Sequence, residues 1–189
     1  MQKFIILLLV VISVNTVIAQ DNNRAIDLKK SAVEIDALWP FFPGVFRSHY
    51  TRTLWQKENL KGDLLLGVNV DFPVNRATEG RFADYSIVSG YRQYFWKGFH
   101  VEFNQTTGLG VLEDHVSTGE TYRGFDWLMS GYIGYKFDFA KKFYILPQFG
   151  IAGVVYKSNP WPIFEDETLT KEVGESPFLL GSLRFGIRF

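Results

Sequence analysis

The sequence predicts an all-β protein, an eight-stranded antiparallel up-and-down transmembrane β-barrel over residues 33–189, and three observations carry that expectation. Apolar residues recur at every second position along almost the whole stretch, the period of a two-faced strand and not of a helix. The connections between these segments are short and long in turn, as tight hairpins at one end and loops at the other require. Polar positions hold small residues rather than the Lys and Glu of a water-facing surface, while the apolar face ends in aromatic rings.

Composition sets the frame. At 189 residues the chain is long enough for one domain with its own core. Lys plus Arg and Asp plus Glu both number 20, so no charge excess draws a polyanion, and no nucleic-acid partner is expected. Aromatics make up 17 % of the residues, with 18 Phe beside 17 Gly, more rings than a soluble core needs. Cys is absent, which removes disulfides, thiolate metal sites and a lipoprotein anchor.

Taken in order, the first element is not a strand. Met1-Gln2-Lys3 is a basic start, Phe4 to Val14 an apolar run, and Val17-Ile18-Ala19 a small-residue ending, so residues 1–19 read as a cleaved secretory signal peptide. The run is shorter than the roughly 18 to 20 residues of a membrane span. Residues 20–32 read as a polar periplasmic tail. Val33 to Trp39 is the first strand, followed by "PFFPG", Pro40 to Gly44, as a compact outer loop; without this strand the count is odd. After Val45 to Trp55 comes Gly62 to Val74, with Leu64, Leu66, Val68, Val70 and Phe72 on one face against Asp63, Leu65, Gly67, Asn69 and Asp71. Phe82 to Phe95 and Phe99 to Val111 follow. Tyr122 to Phe139 sets Phe125, Trp127, Met129, Ile133, Tyr135 and Phe137 against Asp126, Ser130, Gly134, Lys136 and Asp138. Lys142 to Lys157 sets Phe143, Ile145, Phe149, Ile151 and Val155 against Gln148, Gly150 and Ala152, and Pro177 to Phe189 is last. "QKENLK", "WKG" and "AKK" are the short connections; Pro73 to Arg81, Leu112 to Thr121 and Ser158 to Ser176 are the long ones. An even count puts both ends in the periplasm.

A soluble ligand-binding barrel alternates too, so the identity of each face decides which is outside. The polar face carries Asn69, Ser86, Gly90, Asn104, Thr106, Gly108, Ser130, Gly134, Gly150, Ala152, Ser182 and Gly186, all suited to a narrow interior. Trp39, Trp55, Phe72, Tyr85, Phe95, Phe99 and Phe143 gather near strand ends, as in the two interfacial girdles. In this pattern, over about the whole mature chain, the sequence resembles the small eight-stranded outer-membrane barrels of the OmpA and OmpX type, and most sharply at "GIRF". The resemblance implies a bacterial outer-membrane location among lipid and lipopolysaccharide. It also implies that Phe185, Ile187 and Phe189 are an insertion signal for the outer-membrane assembly machinery. It implies no activity, because this fold hosts adhesins, enzymes and inert anchors alike.

With the apolar face on lipid, the lumen receives Glu34, Asp36, Arg47, Asp84, Arg92, Glu102, Asp126, Lys136, Asp138, Arg184 and Arg188, together with His49 and His100. Eight strands leave little room for a channel, so these charges are expected to pair with one another and with Tyr, Asn and Ser neighbours. His100 and Glu102 lie two residues apart on one face, the spacing of a general base and its orienter, though no nucleophile can be assigned beside them. In "EDHVSTGE", Glu113 to Glu120, His115 and Ser117 stand among acids with the residue types of a hydrolase triad. Their His-x-Ser order is similar to that of outer-membrane lipid A deacylases, but Thr118 follows Ser117 and the pair falls on what reads as a solvated polar loop. The acidic run Ile163 to Ser176 lacks EF-hand spacing and reads as ordinary exterior, and Trp161 between two prolines as a rigid aromatic tip. No cofactor or metal motif is present. The expected function is a non-catalytic structural or surface-interaction role carried by the outer loops. The alternatives are an outer-membrane lipid A-modifying hydrolase, through His115 and Ser117 or His100 and Glu102, and a secreted soluble barrel binding a lipid.

Overall fold

The computed structural model describes residues 31–37, 45–76, 80–116, 118–139, 142–158 and 177–189. Among the described residues nine strands run in order: β1 (Ser31–Asp36), β2 (Val45–Lys57), β3 (Leu60–Arg76), β4 (Gly80–Trp96), β5 (Phe99–Glu113), β6 (Tyr122–Tyr135), β7 (Phe137–Asp138), β8 (Phe143–Lys157) and β9 (Phe178–Arg188). All belong to one antiparallel sheet in which β6 pairs with β8 and β9 with β1, so eight strands form a ring. The two residues of β7 continue the path of β6 along β8.

The first strand, on which the even count depended, pairs on both sides. Val33 stands opposite Tyr50 of β2 and Ile187 of β9. It begins at Ser31, so Ser31 and Ala32 belong to the sheet and not to the tail assigned from sequence. Residues 1–30, Trp39 with the "PFFPG" segment, Ser117, and the acidic and Trp161 segments lie outside the described residues.

Hairpin chemistry sets one end of the ring. Lys97 and Gly98 both have positive φ, 42° and 106°, as a two-residue primed turn demands to match the twist of its strands. Glu58–Asn59 turn at the same end, where the Phe189 amide also donates to the Ser31 carbonyl at 3.0 Å. The expected long loop from Pro73 to Arg81 is a correction. The β3–β4 ladder continues through Asn75 opposite Arg81 and Arg76 opposite Gly80, leaving only residues 77–79 between the strands. Pro73, which marked a loop in the sequence, falls where the register shifts between Asp71 and Val74, and there its missing N–H costs no ladder bond.

Burial is inverted relative to a water-soluble fold. Leu66, Ile87, Ile133 and Ile151 point outward and are about half exposed or more, whereas Glu34, Arg92, His100 and Glu102 are fully buried inside the ring. Polar and charged side chains outnumber apolar ones among the buried residues described. Room for the large inward groups comes from glycines across the ladder: His49 faces Gly67, Tyr132 faces Gly150 and Tyr144 faces Gly186. A Cβ at Gly186 would run into the Tyr144 ring. Gly186→Val is therefore expected to cost about 1–3 kcal/mol by overpacking, read as a lower urea midpoint of the folded chain. Gly153→Ala, whose Cβ would meet nothing within 4 Å, is expected to leave the midpoint unchanged.

Candidate functional site

The inward side chains stack in three tiers, and the middle one is a four-charge network. Glu34 comes from β1, Arg92 from β4, Glu102 from β5 and Arg184 from β9, each inward because it shares the parity of its strand's buried face. Arg92 donates from Nη1 and Nη2 to the two Glu34 oxygens at 2.7 and 2.8 Å, and from Nε to Glu102 at 2.7 Å. Arg184 reaches Glu102 at 2.8 and 3.1 Å and Glu34 at 3.4 Å. Tyr144 donates its hydroxyl to Glu34 at 2.7 Å, Asn104 its amide to Glu102 at 2.6 Å and Gln148 its amide to Glu102 at 3.1 Å. Two cations meet two anions, and both carboxylates are surrounded by donors. A group so saturated has no lone pair to lend to a substrate.

His100 is tied into this tier as a structural group. The Gln148 amide nitrogen that donates to Glu102 also lies 2.9 Å from His100 Nε2, which therefore accepts; Nδ1 then carries the proton and donates to the Gly98 carbonyl at 3.1 Å. Both ring nitrogens are used, and neither is turned to Glu102. The base-and-orienter pairing of His100 with Glu102 drawn from spacing is thus not formed.

The tier toward the short turns is cationic. Lys136 lies over the Tyr94 and Tyr144 rings at 4.7 and 5.5 Å, Arg188 over Tyr144 at 4.9 Å, and Lys61 pairs with the buried Asp63 at 2.8 Å. Lys136 finds the tyrosine neighbours expected for a lumen charge, held by their ring faces. Asp138, expected inside, has half its side chain exposed at the rim, where it pairs with Arg188. Asp36 accepts from the Ser182 hydroxyl at 2.7 Å and from the Leu183 amide at 3.3 Å, tying β1 to β9.

The third tier lies toward the long connections. It surrounds a cavity of about 200 Å³ to which Arg47, Asp71, Asp84 and Asp126 contribute charge and Leu128, Phe178 and Leu180 an apolar wall. Asp84 accepts from the neighbouring Ser86 hydroxyl. Asp63 and Asp71 were legible as members of the polar face but were not carried into the charge set; strand parity alone identifies them. Tyr94, Tyr132 and Tyr144 gave no such signal, since a tyrosine suits a girdle as well as an interior.

His115 is buried rather than solvated, packing edge-on to Tyr122 at 5.6 Å, with Thr118 Oγ1 3.2 Å from its Nδ1. Its expected partner Ser117 lies outside the described residues. Phe185, Ile187 and Phe189 all face outward. Among the described residues no group of three His, Cys, Asp or Glu side chains is arranged to hold a metal ion. No protein-family model, no curated protein and no solved structure matches this chain.

Removing one partner of the middle tier leaves an uncompensated buried charge. Glu102→Ala is expected to cost about 3–5 kcal/mol, measured by urea unfolding of the folded chain. The paired exchange Glu34→Leu with Arg92→Met is expected to cost much less than the sum of its single changes, because it removes one charge of each sign together.

Proposed function

We propose that this is an integral outer-membrane β-barrel protein, non-catalytic, with a structural or surface-interaction role through its outer loops. The reading rests on one observation: a neutral, almost fully buried network of two Arg and two Glu lies inside a ring whose outer face is a continuous belt of exposed apolar and aromatic side chains. In water that belt would be an aggregation surface far larger than soluble monomers carry. Against hydrocarbon it satisfies the solvent, and a closed ring leaves no strand edge unpaired there. The soluble lipid-binding alternative would need the opposite arrangement, an apolar interior. The non-catalytic half of the reading is supported by the middle tier, whose carboxylates and imidazole all have partners.

In this reading residues 1–19 direct export and are removed. Outer-membrane lipid and lipopolysaccharide surround the belt, and the assembly machinery reads Phe185, Ile187 and Phe189, as in the OmpA and OmpX type of barrel that the sequence resembles. Alkali extraction of membranes and SDS mobility with and without boiling test it together. Retention in the membrane and a heat-dependent mobility shift are expected; release into the soluble fraction with no shift rejects the membrane reading. Val68, Ile133 and Ile151 are outward-facing and well exposed. Arg at each is expected to cost about 2–4 kcal/mol of stability in detergent or lipid if they sit near the midplane, and tolerance at all three contradicts the facing.

A further inference from the structure

We propose, on the membrane reading of this chain, that the outer face of β1 and β2 near the short turns binds the phosphate group of a glycerophospholipid. The site begins with a charge among apolar neighbours. Arg52 points outward and is exposed, with Tyr50 and Leu54 beside it along β2 and Leu64 opposite it on β3. Among the described residues the other exposed charged side chains of the sheet, Lys57, Arg81, Arg123 and Asp138, stand at strand ends. Arg52 does not, since β2 runs on to Lys57. A guanidinium keeps its charge in any surroundings, and on a lipid face its cost is greatest at the midplane and falls toward the interface. The ladder sets Arg52 opposite Ser31, the first residue of β1, whose carbonyl accepts from the Phe189 amide. It therefore stands near the short-turn edge of this seam, where a long side chain reaches the headgroup level.

Three donor groups meet at that edge. The Ser31 and Tyr50 hydroxyls are hydrogen-bonded to each other at 2.8 Å, and in either direction of that bond one hydroxyl proton remains to donate. The Arg52 guanidinium also reaches the Tyr50 hydroxyl. A guanidinium carries five N–H donors, so one phenolic oxygen leaves most of them open. Among the described residues no carboxylate pairs with Arg52. A positive fork flanked by hydroxyls and by no acid is complementary to a phosphate, whose oxygens accept several hydrogen bonds at once and match the guanidinium two at a time. Phe189 closes one side, its ring 6.5 Å from that of Tyr50. Away from the short turns, Val33, Leu64 and Leu66 offer exposed apolar surface for the acyl chains of the same molecule. Inorganic phosphate would leave that surface bare, so the occupant is a lipid.

The test is native mass spectrometry of the full folded chain released from uncharged detergent micelles. The micelles are doped with phosphatidylglycerol or with diacylglycerol of the same chains, and a third sample has inorganic phosphate in the buffer. One phosphatidylglycerol per chain is expected, with diacylglycerol and inorganic phosphate at least about tenfold weaker. Arg52→Gln is expected to weaken phosphatidylglycerol about tenfold, the loss of one charge-assisted hydrogen bond, and Arg52→Lys to weaken it less. Arg81→Gln, which removes an exposed arginine at the other end of the wall, is expected to leave binding unchanged. The heat-dependent gel shift is expected in every variant, because Arg52 lies outside the packed interior. A chain that keeps the shift but binds phosphatidylglycerol equally with and without Arg52 loses this site and keeps the membrane reading; a wild-type chain without the shift loses both. Equal binding of diacylglycerol or inorganic phosphate, or the same loss in Arg81→Gln as in Arg52→Gln, also overturns the proposal.

Discussion

Two arginines and two glutamates in the middle of a narrow ring have to neutralise one another, and most of the structure follows from that requirement. Glu34 and Arg184 come from the adjacent β1 and β9, Arg92 and Glu102 from the adjacent β4 and β5. The contacts therefore cross the lumen and bind one half of the ring to the other. They also fix register: a slip of one residue would turn Glu34 outward and Val33 inward, reversing the face of every residue in the strand. Side chains of this size fit only because the opposing ladder positions are bare, as at Gly186 beside Tyr144 and Gly150 beside Tyr132.

Much of the fold was legible because its pattern is local. Period-two alternation is written within each segment, and from Gly62 onward Leu64, Leu66 and Val68 fall outward while Asp63, Leu65 and Gly67 fall inward as read. Loop lengths were less legible. Pro73 looks like a strand terminator when only composition is seen, and only the irregular pairing beside Asp71 explains why β3 passes through it. The charged interior was legible as a set but not as a network. Which acid meets which base depends on strand order around the ring, and the pair Arg184 and Glu34 is separated by 150 residues. His100 misled for the same reason: its neighbour in sequence is Glu102, yet its partners are Gly98 and Gln148.

The interior is also graded along its axis. Lys61, Lys136 and Arg188 gather around two tyrosine rings toward the short turns, the middle tier sums to zero, and Asp71, Asp84 and Asp126 outweigh Arg47 toward the other end.

The meeting of β1 with β9 carries a consequence for how the chain acquires this structure. Residues 32 and 188 are ladder partners, so the last seam joins segments separated by almost the whole described sheet. Loop-closure entropy makes such a contact late and slow to form. Until it forms, Glu34 faces water on an unjoined edge and Arg92 lacks its bidentate partner. Sealing the sheet, neutralising its centre and expelling water from it are thus a single event, and an open ring is a wet one.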